Sequence, residues 1–465
     1  MTKSLKTVYV CSACGVNSPR WLGRCSQCQA WDTMVEERAR GSGSASARGR
    51  AVMPISSDAR QPARIGDVHA DDARRIPTGI GEFDRVLGGG AVAGGVVLVG
   101  GDPGIGKSTL LMQALASMAA LGSKTLYVTG EESAAQLALR AQRLGVPGVN
   151  EVAVQATTDL EDVLAAVEQS RPDVVVVDSI QTIRSLDLET SAGSVGQLRE
   201  VTSRLIEMAK NKNIALFLIG HVTKDGAIAG PKVLEHLVDT VLSFEGDRTH
   251  AFRLVRGTKN RFGPAQEVGV FEMAREGLKE VPDPSALFLA ERPKAAAGSL
   301  VVPTAEGTRP LLVEVQALVA PAVYGAARRV ATGLDGNRLS ILLAVLERKA
   351  DVHVLDRDVF ASVAGGARVD EPALDLALAI AVVSSLREKA VGADLVVFGE
   401  VGLAGEVRAV PRPGPRLQEA RKMGFRRCIM PKGNGARLLA EERKGLELVE
   451  VSSLAEALSA ALDNR

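Results

Sequence analysis

The sequence predicts an α/β protein: a mostly parallel sheet flanked by helices, preceded by a four-cysteine ribbon and followed by a separate α+β domain. Three observations predict it. Gly101-Asp102-Pro103-Gly104-Ile105-Gly106-Lys107-Ser108 matches Gly-x4-Gly-Lys-Ser between an apolar run and a helical periodicity. Four consecutive valines, Val174 to Val177, precede Asp178 and suit a strand covered on both faces. Two Cys-x-x-Cys pairs, Cys11/Cys14 and Cys25/Cys28, stand in the first 35 residues.

The ribbon comes first in the chain. Each cysteine pair can present two thiolates to one edge of a metal, and two pairs complete a tetrahedron, which suits Zn²⁺. So short a unit buries too little to fold on apolar contacts, and the metal would supply the folding energy. Two disulfides or a redox pair are the alternatives. Four sulfurs leave no open position for catalysis. From Glu36 to about Gln61, and to residue 65 as a domain boundary, the glycine-, serine- and arginine-rich composition reads as a flexible basic linker.

Residues 66–282 form the α/β core. Strands are expected at Val96–Gly100, Thr125–Thr129, Val174–Val177 and Ile214–Ile219, with helices at Ser108–Leu121, Ser133–Arg143 and Val195–Lys210. Such alternation predicts parallel pairing. A further strand is expected at Ala251–Val255, with a polar loop after it. The prolines at 282 and 284 mark the next boundary. Residues 283–465 mix strands at Leu311–Val319, Leu395–Phe398 and Arg427–Met430 with helices at Leu339–Arg348, Leu374–Leu386 and Arg416–Met423.

The chain has 465 residues, more than one hydrophobic core usually supports, and a formal net charge of +1. A nucleic-acid partner therefore has to rest on local basic clusters rather than bulk charge. No apolar run is long enough to span a bilayer, and the first ten residues lack a secretory pattern. With the metal-type cysteine spacing, this fits a reducing, cytoplasmic compartment. Cys428 reads as a small buried apolar residue.

The glycine-rich loop from Gly101 to Ser108, with Thr109 behind it, would turn main-chain N–H groups towards the phosphates of ATP at a helix N-terminus. Lys107 would neutralise the β and γ phosphates, and Ser108 would ligate Mg²⁺. Asp178, at the end of the valine strand, would also hold Mg²⁺. Glu131 is the favoured residue to orient the attacking water, with Glu132 the alternative. Both follow a strand expected close to the phosphate loop.

These motifs resemble the bacterial RadA (Sms) family of DNA repair proteins, relatives of RecA. The marks are the four-cysteine finger, the phosphate loop, Tyr127-Val128-Thr129-Gly130-Glu131-Glu132-Ser133, and Lys259-Asn260-Arg261-Phe262-Gly263. The resemblance covers nearly the whole chain. It implies a RecA-like ATPase core and a Lon-protease-like tail. It further implies a DNA-dependent ATPase that binds single-stranded and branched DNA and drives branch migration of joints made by RecA. Homo-oligomeric rings, hexameric in this family, would hold ATP between subunits. Lys259 and Arg261, in the polar loop, could then reach a phosphate across an interface, although an ordinary basic turn is the alternative. Lys224 and Lys232 stand in a segment resembling a mobile DNA-binding loop. Arg184 is a further DNA candidate or a solvated surface charge, and His221 is a phosphate sensor or a core histidine. In the tail, Ala373 stands where the Lon serine should be. No lysine lies between Gly402 and Ala420, only arginines such as Arg408, Arg412 and Arg416. Arginine is a poor proton acceptor. The tail is therefore expected to lack peptidase activity and to serve assembly and DNA contact, with Arg328, Arg329, Arg338, Arg348 and Lys349 as basic candidates.

Overall fold

The computed structural model describes residues 6–11, 16–27, 29, 31, 34–39, 74–220, 233–246, 252–293, 296–306, 309–322, 327–366 and 368–463. It divides into two compact units, Met1–Glu280 and Val281–Arg465. In the first, Lys6–Cys11 pairs antiparallel with both Asn17–Ser18 and Met34–Ala39, making the small ribbon sheet.

The larger sheet of this unit carries the phosphate loop. Its elements in chain order are β1 Val96–Gly100, α1 Lys107–Ala120, β2 Thr125–Thr129, α2 Ala134–Leu144 and β3 Ala153–Ala156. They continue as α3 Leu160–Ser170, β4 Val174–Asp178, α4 Val195–Lys212, β5 Ala215–Ile219 and α5 Val233–Leu237. β6 Thr240–Glu245, β7 Phe252–Asn260, β8 Val268–Ala274 and β9 Gly277–Glu280 complete it. The order across the sheet is β9-β8-β7-β6-β1-β5-β4-β2-β3. β6, β1, β5, β4, β2 and β3 run parallel, and β7, β8 and β9 extend the sheet antiparallel.

Strand periodicity explains the two cores. Successive side chains point to opposite faces. Val97, Val99, Val174, Val176 and Phe217 join Leu111, Leu115 and Met118 of α1 on one face. Val96, Leu98, Val175, Val177 and Leu216 join Val163 of α3 and Leu198, Val201 and Leu205 of α4 on the other. Both faces of β4 are thus buried, which is why its four valines show no polar alternation. α2 starts where Ser133 accepts the N–H of Gln136 and the Gln136 side chain returns to the Ser133 N–H, a reciprocal cap.

One sequence expectation changes. Lys259 lies in β7 rather than in a loop, because the antiparallel pairing continues past Val255 to Asn260, with Lys259 opposite Val241. β2 lies three places from β1, with β5 and β4 between them.

In the second unit, β10 Ser299–Glu306, β11 Arg309–Pro321, β12 Arg329–Thr332, β13 Arg357–Val363, β14 Leu395–Val397, β15 Arg427–Pro431 and β16 Glu447–Val451 form one mixed sheet. Its order is β12-β13-β11-β10-β14-β15-β16. Helices Gly336–Lys349 and Asp375–Leu386 belong to this unit, the latter buried along most of its length. Cys428 is fully buried in β15, and burial pushes its thiol pKa far up. Two basic candidates for DNA contact have carboxylate partners: Arg328 pairs with Asp358, and Arg338 with the buried Asp375. Burial pushes the Asp375 carboxyl up, opposed by Arg338 and by the Val401 N–H.

Arg338→Ala leaves that carboxylate buried without its cation, and calorimetric melting should register a loss of about 3–5 kcal/mol. The unpaired Asp375 would have a folded pKa further above its unfolded value. The loss should therefore be largest at neutral pH and shrink as pH falls towards the ordinary carboxyl range.

Candidate nucleotide site

The phosphate loop lies where β1 gives way to α1. Gly101 has φ +150° and Gly106 has φ +120°. A Cβ on Gly101 would come within 2.7 Å of Phe244 Cβ on the neighbouring β6, so only glycine fits there. Asp102, Pro103 and Gly104 are exposed, whereas Ile105 and Lys107 are buried. The Lys107 ammonium donates to the main-chain oxygens of Gly101 (2.7 Å) and Asp102 (2.9 Å). Its side chain thus folds back over the loop that it follows. Burial lowers its pKa, and the charges of Asp178, Asp102 and Glu131 oppose that shift. Ser108 and Thr109 occupy the first turn of α1. The buried Arg253 of β7 supports the loop from below, its Nε donating to the oxygen of Ile105 (3.2 Å).

The acids converge from the two strands beyond β5. Asp178 ends β4 and is buried. Its Oδ2 accepts the hydroxyl of Tyr127, which lies one strand over on β2, at 2.5 Å. Tyr127 is fully buried, and burial together with the Asp178 charge raises its phenol pKa well above the ordinary value. The phenol therefore stays a donor at neutral pH. The Ser179 hydroxyl donates to Glu131 Oε1 at 2.6 Å. Glu132 instead forms an ion pair with Arg140 of α2 (3.3 Å). The two adjacent acids thus have different surroundings: Glu131 sits against the end of β4, and Glu132 against its own helix. The N–H of Gly130 donates to the oxygen of Asp178 (2.8 Å), tying the exit of β2 to the end of β4.

Lys259 Nζ donates to the oxygens of Glu235 and Val238, both at 2.7 Å, at the end of α5. Arg261 Nη1 pairs with Asp239 at 3.2 Å. Asp239 also accepts the N–H of Val96, the first residue of β1. Both cations therefore have partners within their own chain. Arg184 is exposed, while its main chain bonds to Thr158 and Leu160. His221, Lys224 and Lys232 lie outside the described residues. Tyr127, Ser179 and Arg253 had no role in the sequence reading. Tyr127 carried a signal, being a phenol between Leu126 and Val128 at the centre of a fully buried strand.

In the ribbon, Cys11 and Cys25 are buried beside Met34. The Cys11 N–H donates to the Val16 oxygen, and the Gln29 N–H to the Cys25 oxygen, both at 3.0 Å. Each bond is made by the main chain of the first cysteine of a pair, and thiol donors suit a tetrahedral soft cation. Cys14 and Cys28 lie outside the described residues. In the second unit, Ala373 is buried in a short turn before helix Asp375–Leu386. Arg416 is 1 % exposed, pairs with Glu371 at 2.5 Å, donates to the oxygen of Pro303 and lies over the Phe398 ring.

Comparisons with known proteins agree with this layout. Residues 60–227 match the AAA domain family, residues 9–36 the rubredoxin metal binding domain, and residues 345–434 the family of subunit ChlI of Mg-chelatase. The DNA repair protein RadA of Bacillus subtilis is 47% identical over 458 residues, covering 98% of this chain and 99% of its own. This chain belongs to the RadA family. The RadA proteins of Aquifex aeolicus and Pseudomonas aeruginosa are each 49% identical, over 97% and 98% of this chain and 98% and 99% of theirs. As a RadA-family member, the chain joins a zinc ribbon, a P-loop ATPase core and a Lon-like C-terminal domain.

A Cβ on Gly130 would lie 2.1 Å from Thr182 Oγ1. Gly130→Ala should therefore push the β2 exit away from β4 and displace Glu131. Turnover of ATP should drop about tenfold or more, the scale of a small misplacement at a reacting centre. A steady-state phosphate-release assay reads this, and nucleotide affinity should change little.

Proposed function

We propose that this chain hydrolyses ATP to remodel single-stranded and branched DNA in recombinational repair, driving branch migration of joints made by RecA. One observation carries the reading: Lys107 folds back over a complete phosphate loop at the carboxyl edge of a parallel sheet, where ligands of such folds bind, and the same edge carries Asp178 and Glu131 at the ends of neighbouring strands. The names of the relatives, DNA repair proteins, support the biological setting.

In this reading the main-chain amides of residues 101–108 grip the phosphates, and Lys107 leaves its carbonyl partners to meet them. Ser108 and Asp178 hold Mg²⁺, which neutralises charge on the phosphates when bound. Glu131 orients the attacking water. The geometry favours it over Glu132, whose carboxylate is engaged by Arg140. Cys11, Cys14, Cys25 and Cys28 hold Zn²⁺ and fold the ribbon. Lys224, Lys232 and Arg184 contact DNA, and subunits assemble as a hexameric ring. Lys259 and Arg261 act across the interface, exchanging their own-chain partners for the neighbouring subunit's nucleotide.

The second unit is not a peptidase in this reading. Ala373 has no oxygen to attack with. The guanidinium of Arg416 is paired with Glu371 and cannot take up a proton.

Steady-state ATP turnover with and without oligo(dT) tests the central statement. Single-stranded DNA should raise turnover several-fold, and equal rates would overturn the coupling to DNA. Mixing tests the action in trans. A Lys107→Ala subunit keeps its cations, and an Arg261→Ala subunit keeps its phosphate loop. Together they should recover turnover that neither shows alone, and a mixture as inactive as its parts would refute the interface role.

A further inference from the structure

The chain contains only two tryptophans, and both lie in the ribbon. Neither is used to build a core. Trp21 is 54 % exposed and Trp31 is 70 % exposed, whereas the small buried cluster of this unit is made of Cys11, Cys25 and Met34. The two indoles flank one glycine: a Cβ on Gly23 would lie 3.5 Å from Trp21 Cη2 and 4.0 Å from Trp31 Cζ3. Arg24 holds Trp31 in place by a backbone bridge, and its guanidinium stacks 5.6 Å from the ring centroid. The same guanidinium donates to the Gln29 side chain and main chain. Arg20, next to Trp21, is exposed. From residue 12 to residue 31, Arg20 and Arg24 are the only charged side chains.

We infer that Trp21 and Trp31, with Arg20 and Arg24, form a stacking platform for single-stranded nucleic acid. The inference rests on the DNA reading above and assigns part of that binding to the ribbon. Exposed π faces offer each base a partner without regard to sequence, and guanidinium groups alongside attract the phosphates. Charge separates this occupant from a protein. A protein hot spot sits in a pocket ringed by contacts that exclude water. Here the described contacts of the indoles and of Arg24 are with Gly23 and Gln29, and Arg20 and Arg24 stand within one to three residues of Trp21 while Asp32 follows Trp31.

Because both tryptophans belong to this platform, intrinsic fluorescence of the full-length, zinc-loaded protein reports on it directly. Excitation at the indole band during titration with fluorescein-labelled oligo(dT) gives stacking, and the anisotropy of the label gives binding. The expected result is quenching that saturates together with anisotropy. Trp31→Ala and Trp21→Ala should each weaken binding about tenfold while leaving DNA-free ATP turnover and zinc content unchanged. Trp31→Phe, which keeps a smaller stacking face, should fall between. If labelled DNA binds while fluorescence stays constant and neither variant changes affinity, the platform is overturned and the DNA reading stands. If no oligonucleotide binds at all, both fall. Quenching by purified RecA but not by DNA would overturn the inference in favour of a protein-docking surface.

Discussion

The proposed grip on phosphate by main-chain amides and one lysine, at the junction of β1 and α1, is the constraint on which this account of the ATPase core depends. A strand that leads through a glycine-rich loop into a helix leaves several N–H groups without intrahelical partners. Anionic phosphate satisfies them. Lys107 already bonds to the carbonyls of Gly101 and Asp102, so its ammonium is held at the loop before any ligand arrives. Gly101 cannot carry a side chain because Phe244 of β6 stands against it. The Arg253 contact to Ile105 braces the loop from the antiparallel side of the sheet.

On the other side, acids are delivered by pairing. β4 brings Asp178 to the carboxyl edge, and β2 brings Tyr127 and Glu131 beside it. The Tyr127 hydroxyl and the Asp178 carboxylate share a buried hydrogen bond, and Gly130 links the two strand ends through the main chain. The order of strands therefore brings these groups to one edge, with β1 leading into the glycine-rich loop and β4 and β2 leading to Asp178 and Glu131. The antiparallel strands add a second connection. Arg261 shares Asp239 with the first residue of β1, so a cation proposed to act on a neighbouring subunit is anchored to the strand that leads into its own phosphate loop.

Much of this was legible in the sequence. Val96–Gly100 and Thr125–Thr129 match the observed strands residue for residue, because apolar runs closed by glycine or polar residues leave little choice of boundary. Ser133 announced α2, where the cap with Gln136 sits. The phosphate loop is one contiguous motif, and Asp178 directly follows the valine run. What was hidden depends on partners distant in sequence. β7 runs on through Arg256, Thr258 and Lys259, a polar stretch that reads as a loop until pairing with β6 is known. β3 is a largely exposed strand with little apolar signal. The order of strands, which sets β2 three places from β1, has no local signature. Nor does the Tyr127–Asp178 bond, which joins residues 51 apart in the chain.

The measurement that bears most directly on the central claim is an equilibrium titration of the purified chain with Mg²⁺ and a nonhydrolysable ATP analogue, repeated on Lys107→Ala. The account predicts one nucleotide per chain, with affinity falling at least about tenfold in the variant, since a buried cation facing phosphate is worth more than about 1.4 kcal/mol. Equal affinity in the two proteins, or no binding to either, would contradict it.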